Sequence, residues 1–169
     1  MDRASEEAKE SMGLSATKQT WSAVLVLTAV VCSATARAQE DRGLWRAAST
    51  NARAITGDVT VAEAKVTLNF LTFPLAAIRR LKPVEVSAVF DADVNSGIEG
   101  TLYRLRIPAA QFIVRKNTLC GNEDTQWMAT YVTGRSLRVA FFSGDDMPAF
   151  TFDAMQNPTT LCGKYTYGR

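Results

Sequence analysis

The 169-residue chain carries 19 basic and 17 acidic residues and no histidine, for a net charge of +2. So slight an excess excludes the electrostatic footprint of a nucleic-acid-binding protein. The missing histidine excludes Ser-His-Asp and Cys-His catalysis and histidine-ligated zinc or iron, leaving carboxylates, Tyr, Lys or Ser for any catalysis.

The first feature in chain order is an apolar run over residues 21–33, shorter than the roughly 20 residues a membrane-spanning helix needs. Lys18 precedes it, and Ala36-Arg37-Ala38 follows as a small-x-small cleavage site. Together these predict a signal peptide over residues 1–38 and export to the periplasm or the extracellular space. The acids Asp2, Glu6, Glu7 and Glu10 are unusual ahead of such a core, and Met12 fits as the true start. Cys32 follows Val31 rather than the small residue usual before a lipid-bearing cysteine, so it is expected to leave with the leader. Residues 39–169 then fit one domain with a real core. Removing four basic and four acidic residues leaves the net charge unchanged.

Gly43-Leu44-Trp45 opens this domain, and residues 54–61 read as a strand broken by a turn or bulge at Gly57-Asp58. Residues 65–73 alternate Val66, Leu68 and Phe70 against Thr67 and Asn69, with Pro74 ending the strand or confining it to an edge. Over 81–91, period two aligns Val84, Val86, Ala88 and Phe90, whereas a helix aligns Val86, Val89 and Phe90. Pro83 at the first position and Glu85 in the first turn favour a short helix near 83–91, the single helix of the domain.

Beyond Gly100, Tyr103, Leu105 and Ile107 alternate with Leu102, Arg104 and Arg106 until Pro108. A short strand follows over 112–115, and 126–133 puts Trp127, Ala129 and Tyr131 on one side. Gly134-Arg135 turns into Leu137, Val139 and Phe141 as a hairpin. After a turn at 143–146, residues 149–152 pair back and 162–167 close the chain. About seven to nine short strands predict a mainly β, single-domain antiparallel barrel or sandwich.

Thr118-Leu119-Cys120-Gly121 returns as Thr160-Leu161-Cys162-Gly163. In an oxidising compartment these two cysteines form the available intramolecular disulfide, Cys120–Cys162. Asp91, Asp93, Asn95 and Glu99 place oxygens at alternate positions as a calcium candidate, but Ser96 and Leu102 stand where an EF-hand needs glycine and a bidentate acid. The simpler reading is a solvated loop, with no metal and no cofactor. Glu123-Asp124 and Asp145-Asp146 are candidate carboxylate pairs for glycosidase-like hydrolysis. Arg79, Arg80, Lys82, Arg104, Arg106, Arg115, Lys116, Arg135 and Arg138 offer a basic face for cell-wall polymer or lipid headgroups, set against an ordinary solvated sheet face. Trp45, Trp127, Tyr131 and Phe141 read as core or, in a barrel, as lining for an apolar small molecule.

Gly43-Leu44-Trp45 is similar to the Gly-x-Trp that opens lipocalins and other calycin barrels, a group of small-molecule carriers and secreted protease inhibitors. The resemblance implies a barrel with a later arginine over the Trp, for which Lys164 and Arg169 are the positions at hand. The longer run from Thr118 to Tyr131, with Phe141-Phe142-Ser143-Gly144 and Leu161-Cys162-Gly163, resembles small exported bacterial proteins without an assigned activity. The expectation is a non-catalytic, exported binding protein of the cell envelope or extracellular space, not transmembrane after cleavage. Its partner would be an apolar small molecule or an envelope component, and not nucleic acid. The alternatives are a secreted hydrolase inhibitor with a protein target and a carboxylate-dependent hydrolase.

Overall fold

Where apolar and polar side chains alternate with period two, the chain extends, and each extended segment pairs with its neighbour in sequence. The computed structural model describes residues 41–169; the predicted leader over 1–38, with Met12 and Cys32, lies outside the described residues. The strands are β1 (Gly43–Ala47), β2 (Val59–Val61), β3 (Lys65–Leu68), β4 (Leu71–Leu81), β5 (Gly100–Ile107), β6 (Thr125–Thr133), β7 (Ser136–Ser143) and β8 (Leu161–Gly168). All pairings are antiparallel, and Arg46 and Ala47 of β1 pair with Gly168 and Tyr167 of β8. That last pairing closes an eight-stranded barrel and removes the open edge a sandwich sheet would leave.

Up-and-down connection fixes what lies at each end. The loops after β1, β5 and β7 and the β3–β4 turn gather at one end, the loop end. The connections after β2, β4 and β6 lie at the other, together with Asp41 and the chain terminus.

Inside the barrel, Trp45, Leu68, Met128, Leu137, Phe141 and Tyr167 belong to one buried cluster. A second cluster lies on the outer wall, because β5, β6 and β7 are apolar on both faces. There Leu102, Trp127, Ala129, Tyr131, Ala140 and Phe142 are covered by Val86, Val89 and Phe90 of the helix α1 (Pro83–Phe90). The helix expected near 83–91 therefore forms. Pro83 starts it, and the Glu85 carboxylate accepts the Lys82 N–H at 2.8 Å, satisfying a donor at the helix start.

Several expectations are corrected. Phe70 does not continue the inward face of β3: Asn69 and Phe70 form the turn into β4, with φ of 42° and 76°. Pro74 lies within β4, opposite Lys65, instead of ending a strand. Residues 112–115 make only a single bridge, Val114 to Asn117, since Arg115 turns to φ 58°. Residues 149–152 do not pair back. Thr151 instead caps a second helix, α2 (Phe152–Gln156), accepting the Ala154 N–H at 3.2 Å. A π-helical turn, Ala52–Thr56, precedes β2 where a broken strand was expected.

Candidate functional site

Large side chains are buried inside the barrel, among them two of the four residues expected to line a ligand. Trp45 and Phe141 lie fully buried in the interior cluster, whereas Trp127 and Tyr131 lie on the outer wall under α1. The four predicted lining residues are thus divided between two cores. Trp45 belongs to the closed end: its indole N–H donates to the Asp41 carbonyl at 2.9 Å, and the Arg169 guanidinium lies 3.8 Å from its ring centroid. The buried Asp41 carboxylate accepts from the Tyr103 hydroxyl at 2.6 Å and the Thr130 hydroxyl at 2.7 Å. Burial, then the Asp41 charge, raises the Tyr103 phenol well above its ordinary range. Asp41 was not singled out from the sequence, where it is one acid in a polar stretch.

The concave feature with the richest chemistry is on the outside. Pairing of β4 with β5 starts at Leu75↔Leu105, and the Leu75 N–H is directed to the Ala64 carbonyl on the β3 side. By strand alternation Pro74 faces the β5 side, where its missing donor leaves the ladder unextended. Pro108 ends β5 nearby. The strands part there into a groove of about 790 Å³, floored by Pro74, Leu75, Ala76, Leu105 and Pro108. Arg104, Arg106, Asp124, Gln126 and Asp145 form its polar wall.

These wall groups hold one another in place. Arg104 stacks at 4.4 Å on the Trp127 ring, donates to the Asp145 carbonyl at 2.9 Å and reaches the Gln126 side-chain oxygen. Gln126 in turn donates to the Asp145 carboxylate at 2.6 Å. Arg106 donates to Asp124 at 3.0 Å, and the Ala109 N–H donates to the other Asp124 oxygen at 2.9 Å. That backbone hydrogen bond, with Arg106 second, holds the Asp124 carboxyl below its ordinary range. One member of each predicted carboxylate pair therefore reaches the same groove. Asp124 is favoured as the anion, and the Asp145 side chain is 91% exposed.

Glu123 faces a second cleft, of about 420 Å³, beside the Cys120–Cys162 disulfide. Asp146 is exposed. The calcium candidates are occupied separately: Asp91 pairs with Lys164, Asp93 caps the turn at Asn95, and Glu99 pairs with Arg80. Among the described residues, no three acidic or cysteine side chains converge as a metal-holding group. The expected basic face is likewise dispersed. Arg79 binds Glu85, Arg138 donates to the Phe90 carbonyl at the end of α1, and Arg135 donates to the Arg169 carbonyl. Only Arg104 and Arg106 of that set enter the groove. Gln126 and the two prolines were missed as site residues; their signal was a proline at each margin of strands that otherwise alternate cleanly.

Among the described residues, no helix is long and apolar enough to cross a membrane. No protein-family model matches this sequence, and no curated protein or solved structure is significantly similar to it.

Proposed function

We propose that this is an exported, non-catalytic binding protein of the cell envelope or extracellular space, and that its ligand lies in the outer groove. The observation that carries this reading is the mutually fixed wall of Arg104, Gln126, Asp145, Arg106 and Asp124 beside an apolar floor. Fixed donors and acceptors of both charges suit an extended polar chain, such as a cell-wall glycan or peptide segment, better than a compact apolar molecule. The large side chains buried in the barrel interior, Trp45, Phe141 and Tyr167 among them, support the same choice. Export rests on the leader pattern and is consistent with the disulfide. The placement of Arg169 over Trp45 supports a calycin-like arrangement of Gly43, Trp45 and Arg169.

The test is native mass spectrometry of protein purified from a periplasm, followed by titration with soluble peptidoglycan fragments. The expected result is a saturable complex that weakens about tenfold or more in Arg104→Glu, given the cost of losing a charge-assisted contact. An Arg104→Glu variant that binds as tightly as wild type, or a wild type that binds no fragment, overturns the groove reading.

A further inference from the structure

The β3–β4 turn is built at a conformational cost that its sequence does not reduce. A two-residue hairpin with both central residues at positive φ is ordinarily made by Asn-Gly, and an aromatic residue in that region is an outlier. Asn69 fits the first place at φ 42°, but Phe70 occupies the second at φ 76° with its side chain 93% exposed. The turn is firmly held. The Asn69 N–H donates to the Asp58 carbonyl at 2.9 Å, and its side-chain amide donates to the Ile113 carbonyl at 3.0 Å. Strain kept at an exposed aromatic by such bonds points to a use for that side chain.

Those bonds also define what surrounds it. Ile113 is the buried root of the β5–β6 loop, and its neighbour Phe112 is 52% exposed. Asn117 ties the same loop to the Ala54 carbonyl at 2.9 Å, bringing the turn that carries Arg53 alongside. Arg53, Arg115 and Lys116 are exposed, and among the described residues none of them forms an ion pair. Arg53 donates one nitrogen to the Ala48 carbonyl. Asp58, next to this turn, is directed toward the Ala47 N–H, and Glu123, the exposed acid of the β5–β6 loop, lies at its far end beside the disulfide. The result is two protruding aromatics on separate loops, bordered by three cations.

We infer that this part of the loop end is an anchor for an anionic lipid bilayer, with Phe70 and Phe112 entering the interface and Arg53, Arg115 and Lys116 facing the headgroups. Exposed Phe side chains gain by burial at the boundary between headgroups and acyl chains, and juxtaposed cations are attracted to anionic leaflets. Two apolar points with a flanking positive rim match a fluid anionic plane, which needs no shape complementarity. A protein pocket would require it. Reversible attachment by several weak contacts is the expected strength. The anchor uses a different surface from the groove and stands without it.

The experiment is co-sedimentation of Gln39–Arg169, one compact unit containing every described element, with vesicles of phosphatidylcholine alone or mixed equally with phosphatidylglycerol. Thermal unfolding is followed for each variant. Wild type is expected to bind the anionic vesicles, less so at high salt, and to leave the neutral ones. Phe70→Asn with Phe112→Ser is expected to lower partitioning about tenfold or more. Phe70→Asn alone should unfold at a temperature no lower than wild type, since Asn tolerates the left-handed region. Gln126→Ala, a charge-neutral change in the groove wall, should bind vesicles unchanged, which separates this anchor from the groove. Equal partitioning of the double variant, or equal binding to neutral vesicles, overturns the inference. A wild type that binds neither vesicle does so too, and leaves the turn to a protein partner.

Discussion

At one end of the barrel, buried Asp41 and Trp45 are enclosed by Tyr103, Thr130 and the Arg169 guanidinium. At the other, loops leave Phe70, Phe112, Met147 and Phe152 exposed and are joined by the chain's one described disulfide. The first end is specified by contacts that exist only when folded. The second is constrained by a covalent link that acts even in the unfolded chain. Stability and binding should therefore respond separately to changes at the two ends.

The largest effect is expected at the loop end. Replacing both cysteines, Cys120→Ser with Cys162→Ser, frees two positions 42 residues apart. On the chain-entropy account this costs about 4 kcal/mol. Because the loss arises mainly in the unfolded ensemble, near-ultraviolet circular dichroism of Trp45 and its surroundings should be retained while the denaturant midpoint falls. A midpoint equal to wild type would show that the loops, not the clasp, hold this end.

Gly100→Ala is the matching test of the closed end. A methyl group there would lie 2.5 Å from the Thr130 carbonyl and 3.1 Å from Val86. Backbone on one side and α1 on the other leave little room to yield, so the expected cost is about 3 kcal/mol. The spectroscopic signature should be opposite to that of the cysteine variant, with the closed-end aromatic signals disturbed in the native state. Tolerance of alanine would mean that β5 and β6 separate there without loss.

The two Thr-Leu-Cys-Gly segments show how far such differences can be read from sequence. Their pairing in a disulfide was legible, because the expected loss of the leader takes Cys32 with it and leaves these two cysteines to each other. Their unequal settings were not. Gly121 takes φ 63° in a loop with open space around it, whereas Gly163 in β8 leaves room for the Tyr165 hydroxyl, 2.7 Å from where a side chain would begin. The same four letters answer a conformational need in one place and a packing need in the other.

The strands facing the interior were legible through alternation, as at Tyr103, Leu105 and Ile107, and so were the Gly134-Arg135 hairpin and the Pro83 helix start. Alternation misled at Phe70, since a turn residue happened to continue the β3 pattern. It also could not assign Trp127 and Phe141 to different layers. Both strands are apolar on two faces, and only the docking of α1 decides which face is covered. The groove stayed hidden for a related reason: Arg104 and Asp145, 41 residues apart in sequence, meet across β6 through the pairing of β5 with β6 and of β6 with β7.

The smallest effect at neutrality, growing with pH, comes from the buried phenols, and it sharpens the contrast between the ends. Tyr103 is raised by burial and by the adjacent Asp41 carboxylate; Tyr165 is pushed up to about 12 by burial alone. For a group whose folded value exceeds its unfolded one, near 10 for tyrosine, the favourable contribution is complete below the unfolded value and is lost as pH rises through the folded one. Stability should thus hold to about pH 10 and then decline. Tyr165→Phe removes a phenol raised by burial alone and should lessen that decline while leaving neutral stability nearly intact. Tyr103→Phe removes a donor from buried Asp41 and should cost about 1 to 3 kcal/mol already at pH 7. Chemical denaturation across this pH range checks both. Equal behaviour of the two variants would mean that the Asp41 hydrogen bond contributes little and that the closed end is held by packing alone.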